Sequence, residues 1–75
     1  MDHSHSPNKI IRERLRQARE TVGLSQAEAA SQLNKPQWFV SRCETGERRV
    51  DVAELVEFGK VYSKPLRYFL EELLD

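Results

Sequence analysis

The apolar residues of this chain fall into short stripes at helical spacing, and nowhere do they alternate as a strand would. Ile10 or Ile11, Leu15, Ala18 and Val22 predict a first helix over Lys9 to Val22, closed by Gly23. Leu24 then precedes Ser25, whose hydroxyl suits an N-cap. Glu28 stands three residues on, which is the capping-box spacing. Ala27, Ala30 and Leu33 follow at i, i+3 and i+6 and predict a second helix with a small apolar stripe. Asn34 tolerates the left-handed conformation that ends a helix. Pro36 suits a first helical position. From Gln37 to Thr45 a third helix turns Val40 and Cys43 inward and leaves Gln37, Trp38, Ser41 and Arg42 outward, until Gly46 stops it. Asp51 caps a fourth helix whose apolar side is Val52, Leu55, Val56, Phe58, Gly59 and Tyr62. Gly59 inside it costs roughly 1 kcal/mol against Ala, which predicts close packing against another helix. Ser63-Lys64-Pro65 breaks the chain. Leu66, Phe69, Leu70, Leu73 and Leu74 then make a wide stripe on the last helix.

The second and third helices, joined by a turn too short to be a loop, have the pattern of a helix-turn-helix. Composition sets the frame around them. The 75 residues make one small domain. A chain of this length buries only about 60% of its unfolded surface, which favours self-association. We expect a loose tail over residues 1–8 and a folded domain over 9–75. No apolar run reaches about 18 residues, so no membrane span is expected. The start MDHSHSPN has no apolar core and does not read as a signal peptide. One cysteine cannot form an internal disulfide, which fits a reduced cytoplasmic setting. His3 could complete a square-planar Cu(II) or Ni(II) site with the amino terminus, but a plain polar tail is the preferred reading, and no metal or cofactor is expected.

Net charge is zero by count, yet unevenly spread. Residues 1–50 carry nine Lys or Arg against six Asp or Glu, and residues 51–75 carry three against six. The basic part contains the helix-turn-helix, so a local phosphate-binding face remains available.

Enzyme chemistry finds no footing. There is no glycine-rich phosphate loop, no zinc-ligand spacing and no histidine in the folded part. Cys43 lacks a histidine partner and lies on an apolar stripe, where a thiol acts as a small hydrophobe; a redox switch is the weaker alternative. Double-stranded DNA is the partner that the residues favour. Gln37 suits adenine N6 and N7, and Arg42 suits guanine O6 and N7. Ser41 reaches base or phosphate. Trp38 packs on a thymine methyl or a sugar, or else stacks on its own domain. Gln26 opens the second helix, where free N–H groups favour a phosphate. Arg16 and Arg19, and after the third helix Arg48 and Arg49, are either phosphate contacts or solvated surface. Lys35, in the turn, joins the phosphate candidates.

Leu24-Ser25-Gln26-Ala27-Glu28, then Ala30, Leu33, Gln37, Val40, Ser41 and Glu44-x-Gly46, closely resemble the lambda-repressor and Cro-like, or XRE, helix-turn-helix family. The resemblance runs from about Ile10 to Leu74. It implies an all-α domain of five helices, a phosphate contact at Gln26 and base contacts at Gln37, Trp38, Ser41 and Arg42. It also implies a structural pair of Arg19 with Glu44, the arginine touching phosphate as well. The departures are Asn34 in place of the usual Gly, Pro36 in place of a Ser or Thr cap, and the bulky Trp38. The expected function is a sequence-specific regulator of the repressor, Cro or controller type, binding a palindromic operator as a homodimer through Leu66, Tyr68, Leu70, Leu73 and Leu74. No membrane and no small-molecule ligand are expected. The alternative is a protein-interaction module that keeps the fold and uses its Leu-rich last helix.

Overall fold

A computed structural model of the chain describes residues 7–74. They form five helices and, among the described residues, no strand: α1 (Pro7–Thr21), α2 (Gln26–Gln32), α3 (Gln37–Thr45), α4 (Val52–Tyr62) and α5 (Leu66–Leu74). α1 begins two residues earlier than its apolar stripe predicts. Pro7, pre-shaped for a first helical position, starts it. Pro7 and Asn8 are therefore helical rather than loose, and the rest of the expected tail, His3 included, lies outside the described residues.

The helix ends follow the local chemistry. α1 closes on Gly23 at φ 77, with the Leu24 N–H donating to the Arg19 carbonyl and the Gly23 N–H to that of Glu20. That is the Schellman arrangement. α2 closes the same way on Asn34 at φ 58, through Lys35 to Ala30 and Asn34 to Ser31. Both halves of the Ser25–Glu28 capping box form, and Asp51 with Glu54 builds a second one at the start of α4. Pro36 is the N-cap of α3 rather than its first helical residue, and no side chain caps that helix.

One core gathers residues from all five helices: Leu15, Ala18, Ala29, Ala30, Phe39, Val40, Cys43, Leu55, Phe58, Tyr62 and Phe69. Three expectations change. Ala27 is exposed and Ala29 is buried, because the inward side of the short α2 comprises Ala29, Ala30 and, half-buried, Leu33. Val22 lies beyond the end of α1 and is exposed. Val52 and Val56 are also exposed, since the buried side of α4 is the i, i+3, i+4, i+7 set Leu55, Phe58, Gly59 and Tyr62.

Aromatic rings join α3 to α4. Phe39 stacks on Phe58 with centroids 5.9 Å apart, and Phe58 meets Tyr62 at 5.6 Å. Phe39 is the inward residue of α3 that the stripe of Val40 and Cys43 omits. Gly59 is packed closely, but chiefly against the Lys64 carbonyl of the connection after α4 rather than against another helix; the Phe69 ring is 3.7 Å from where a Cβ would stand. α5 is tied back to α1 by Arg14, which pairs with Glu72 at 2.7 Å and Glu71 at 3.3 Å and lies over the Tyr68 ring. No helix among the described residues is long and apolar enough to cross a membrane.

Candidate nucleic-acid interface

The position of α3 is set at its C-terminal end. Arg19 Nε donates to Glu44 Oε2 at 2.6 Å, and Arg19 Nη2 to Glu44 Oε1 at 3.0 Å. Arg19 Nη1 donates to the Leu24 carbonyl at 2.9 Å. Gln26 Nε2 donates to the same Glu44 Oε1 at 3.2 Å. One carboxylate thus joins α1, the first residue of α2 and the last turn of α3. The side chains of Arg19 and Glu44 are only 11% and 5% exposed. The hydrogen bond to Glu44 raises the Arg19 pKa above its ordinary value, against the opposing effect of burial. The bidentate fork gives direction as well as attraction, so it orients α3 as well as attaching it.

From that base the outer face of α3 projects freely. Gln37 and Arg42 are exposed, Trp38 is 51% exposed and Ser41 is half-buried. Phe39, Val40 and Cys43 occupy the opposite face, in the core. Arg42 Cζ lies 4.9 Å from the centroid of the Trp38 ring. Burial raises the pKa of the Cys43 thiol, which keeps it protonated.

The basic residues around α3 divide into committed and available ones. Arg16 is exposed, and Arg49 is exposed on the loop after α3; neither has a carboxylate partner among the described residues. Lys35 lies over the Phe39 ring at 5.2 Å with its ammonium exposed on the turn. Arg48 departs from the expected free phosphate binder. Its Nη1 and Nη2 donate to Glu54 at 2.8 and 2.7 Å, its Cζ is 4.6 Å from the Phe39 ring, and Nη1 also reaches the Arg49 carbonyl. The pair holds Glu54 below the usual carboxylate range. Arg48 is a pin between the loop and α4. Gln26 likewise has one amide N–H engaged by Glu44, which leaves its second amide N–H and its backbone N–H at the start of α2 to meet a phosphate.

Sequence reasoning passed over two of these residues. Glu54 stands at capping-box spacing from Asp51, and besides closing that box it anchors Arg48. Arg12 lines a cleft of about 240 Å³ with Asn8, Arg48 and Arg49, and its guanidinium lies against Gly46 at the end of α3. Its only sequence signal is its helical spacing from Arg16 and Arg19, which stand four and seven residues on.

The residues expected at a dimer interface are largely used inside the chain. Leu66, Tyr68 and Leu70 pack against the core, and Leu73 is half-buried. Leu74 alone of the five is exposed, at 67%.

Comparison with known proteins agrees with the fold. A family model described as a helix-turn-helix domain matches residues 10–64, from α1 to the connection before α5. No curated protein matches the chain.

Proposed function

The chain belongs to the helix-turn-helix domain family, within the XRE/Cro-like group, and from that premise we propose that it is a sequence-specific DNA-binding regulator of transcription. The outward display of Gln37, Trp38, Ser41 and Arg42 on a helix whose base is clamped by Arg19 and Gln26 through Glu44 carries this reading. In this geometry α3 enters the major groove with its N-terminal part leading. Gln37 then addresses adenine and Arg42 guanine, with Ser41 and Trp38 beside them. Arg16, Lys35, Arg49 and the Gln26 backbone N–H meet phosphates on either side. Arg19 and Arg48 contribute by holding the scaffold, through Glu44 and Glu54. Such contacts fix register, while the base edges provide the sequence information.

The regulator acts in the cytoplasm as a homodimer of repressor, Cro or controller type on a palindromic operator. Its half-sites lie about 10 base pairs apart or a multiple of that. A fold of 75 residues has little surface to bury alone, which favours pairing. Leu74 and Leu73 extend beyond the part of α5 that closes the core and begin that contact.

Selection of bound sequences from random DNA tests the reading. A two-fold symmetric consensus is expected, with affinity falling steeply as salt rises. Arg42→Ala should weaken binding to that consensus by about 1–3 kcal/mol and relax one base pair per half-site. Equal losses on consensus and random DNA would refute base reading by Arg42. An absence of any recovered consensus would refute the function and favour the protein-interaction alternative on α5.

A further inference from the structure

We propose that Trp38 is a positioning residue for Arg42, so that the indole sets the base preference of the arginine; the proposal rests on the DNA-reading function above. Trp38 and Arg42 stand at i and i+4 and so lie one turn apart on the exposed face of α3. The guanidinium carbon is 4.9 Å from the indole centroid, within cation–π range. No carboxylate competes for Arg42 among the described residues. Glu44, two residues on, is held by Arg19 and Gln26, and Glu47 accepts from the Thr45 hydroxyl.

The consequence follows from the shape of the two groups. A guanidinium on an aromatic face keeps its N–H donors free at its edge, in the fork that matches guanine O6 and N7. A free arginine samples many rotamers and loses that freedom on binding. The indole restricts the search before DNA arrives, and pre-organisation of this kind strengthens binding without a new contact. Lysine at position 42 would lack the planar fork. The bulk of Trp38 is thereby accounted for without a base of its own, and its half exposure leaves one face of the ring for Arg42.

The experiment compares base preferences of the full chain with those of Trp38→Ala, Trp38→Tyr, Arg42→Ala and the double variant, by competition among variants of the selected operator. Both side chains are on the surface, and equal urea midpoints establish that all four variants fold. Trp38→Ala should reduce discrimination roughly five- to tenfold at the same base pair that Arg42→Ala relaxes. The double variant should be no worse than Arg42→Ala alone, and Trp38→Tyr should keep most of the preference. Trp38 is the single tryptophan, so its fluorescence in the free protein should change in Arg42→Ala. Relaxation at a different base pair by Trp38→Ala, multiplied losses in the double variant, or unchanged fluorescence would overturn the proposal while leaving DNA reading intact. Absence of any sequence preference in the unsubstituted chain would overturn both.

Discussion

The two ends of α3 are built on opposite principles. At its base, Glu44 receives hydrogen bonds from Arg19 and Gln26 and is almost hidden from water. Toward its tip, Gln37 and Trp38 are open to solvent, and Arg42, which springs from the last turn beside Glu44, lies on the same outer face and stacks back on Trp38. Only one residue, Cys43, separates Glu44 from Arg42. The contrast teaches that placement and recognition are divided between two faces of one nine-residue helix, as Glu44 and Arg42 in the same last turn show. A change at the base moves the whole helix, whereas a change at the tip alters only what the helix can touch. The missing cap at Pro36 fits the second principle, since the tip is held by neither a side-chain cap nor a salt bridge.

The largest expected effect is at the base. Glu44→Ala leaves the Arg19 guanidinium half-buried without its partner, and should cost about 3 kcal/mol of stability by urea unfolding. Gln37→Ala, at the tip, should shift the same midpoint by less than ~0.5 kcal/mol. Similar shifts for the two variants would break the comparison.

Acid provides a second, smaller test. Arg48 holds the Glu54 carboxyl below its ordinary value of 4.5, so the unfolded chain binds that proton more readily than the folded one. The stabilisation is complete above that ordinary value and is lost as pH falls through the lower folded one. Glu54→Gln should therefore flatten the acid side of a stability-against-pH curve. The tip has no carboxylate to titrate. A Glu54→Gln curve that keeps the full acid slope would show that Arg48 is not pinned as described.

The smallest effect concerns Tyr62, whose hydroxyl is buried without a hydrogen bond among the described residues. Burial raises the pKa of the phenol and keeps it neutral. Tyr62→Phe should change the urea midpoint by less than ~0.5 kcal/mol or raise it slightly, since no hydrogen bond is lost. A loss above ~1 kcal/mol would reveal a partner for that hydroxyl.

Much of the architecture was legible because it rests on local rules. Ser25 with Glu28, Asn34, Gly46 and Asp51 each act within one helical turn, and their roles can be read from neighbours in the chain. The stripes located the helices but misjudged their edges. Val22, Ala27, Val52 and Val56 satisfy the spacing rule yet face solvent, while Ala29 and Phe39 were passed over and are buried. A period of 3.6 leaves the inward direction uncertain by a residue or so on helices of seven to eleven residues. The outward set Gln37, Trp38, Ser41 and Arg42 was legible because Cys43 and Val40 already specify the opposite face.

By itself the sequence determined where the chain must turn, which helices are capped, and which polar side chains share one face of α3. These depend on residues within about four positions of each other. Only the tertiary structure decided which cations remain free. The family resemblance already implied the pair of Arg19 with Glu44. Arg14 and Arg48, by contrast, look no different from Arg16, Arg42 and Arg49 along the chain, yet they are taken up by Glu71 and Glu72 and by Glu54. Pairing across 6 to 58 residues depends on how the helices pack, and no local spacing encodes it.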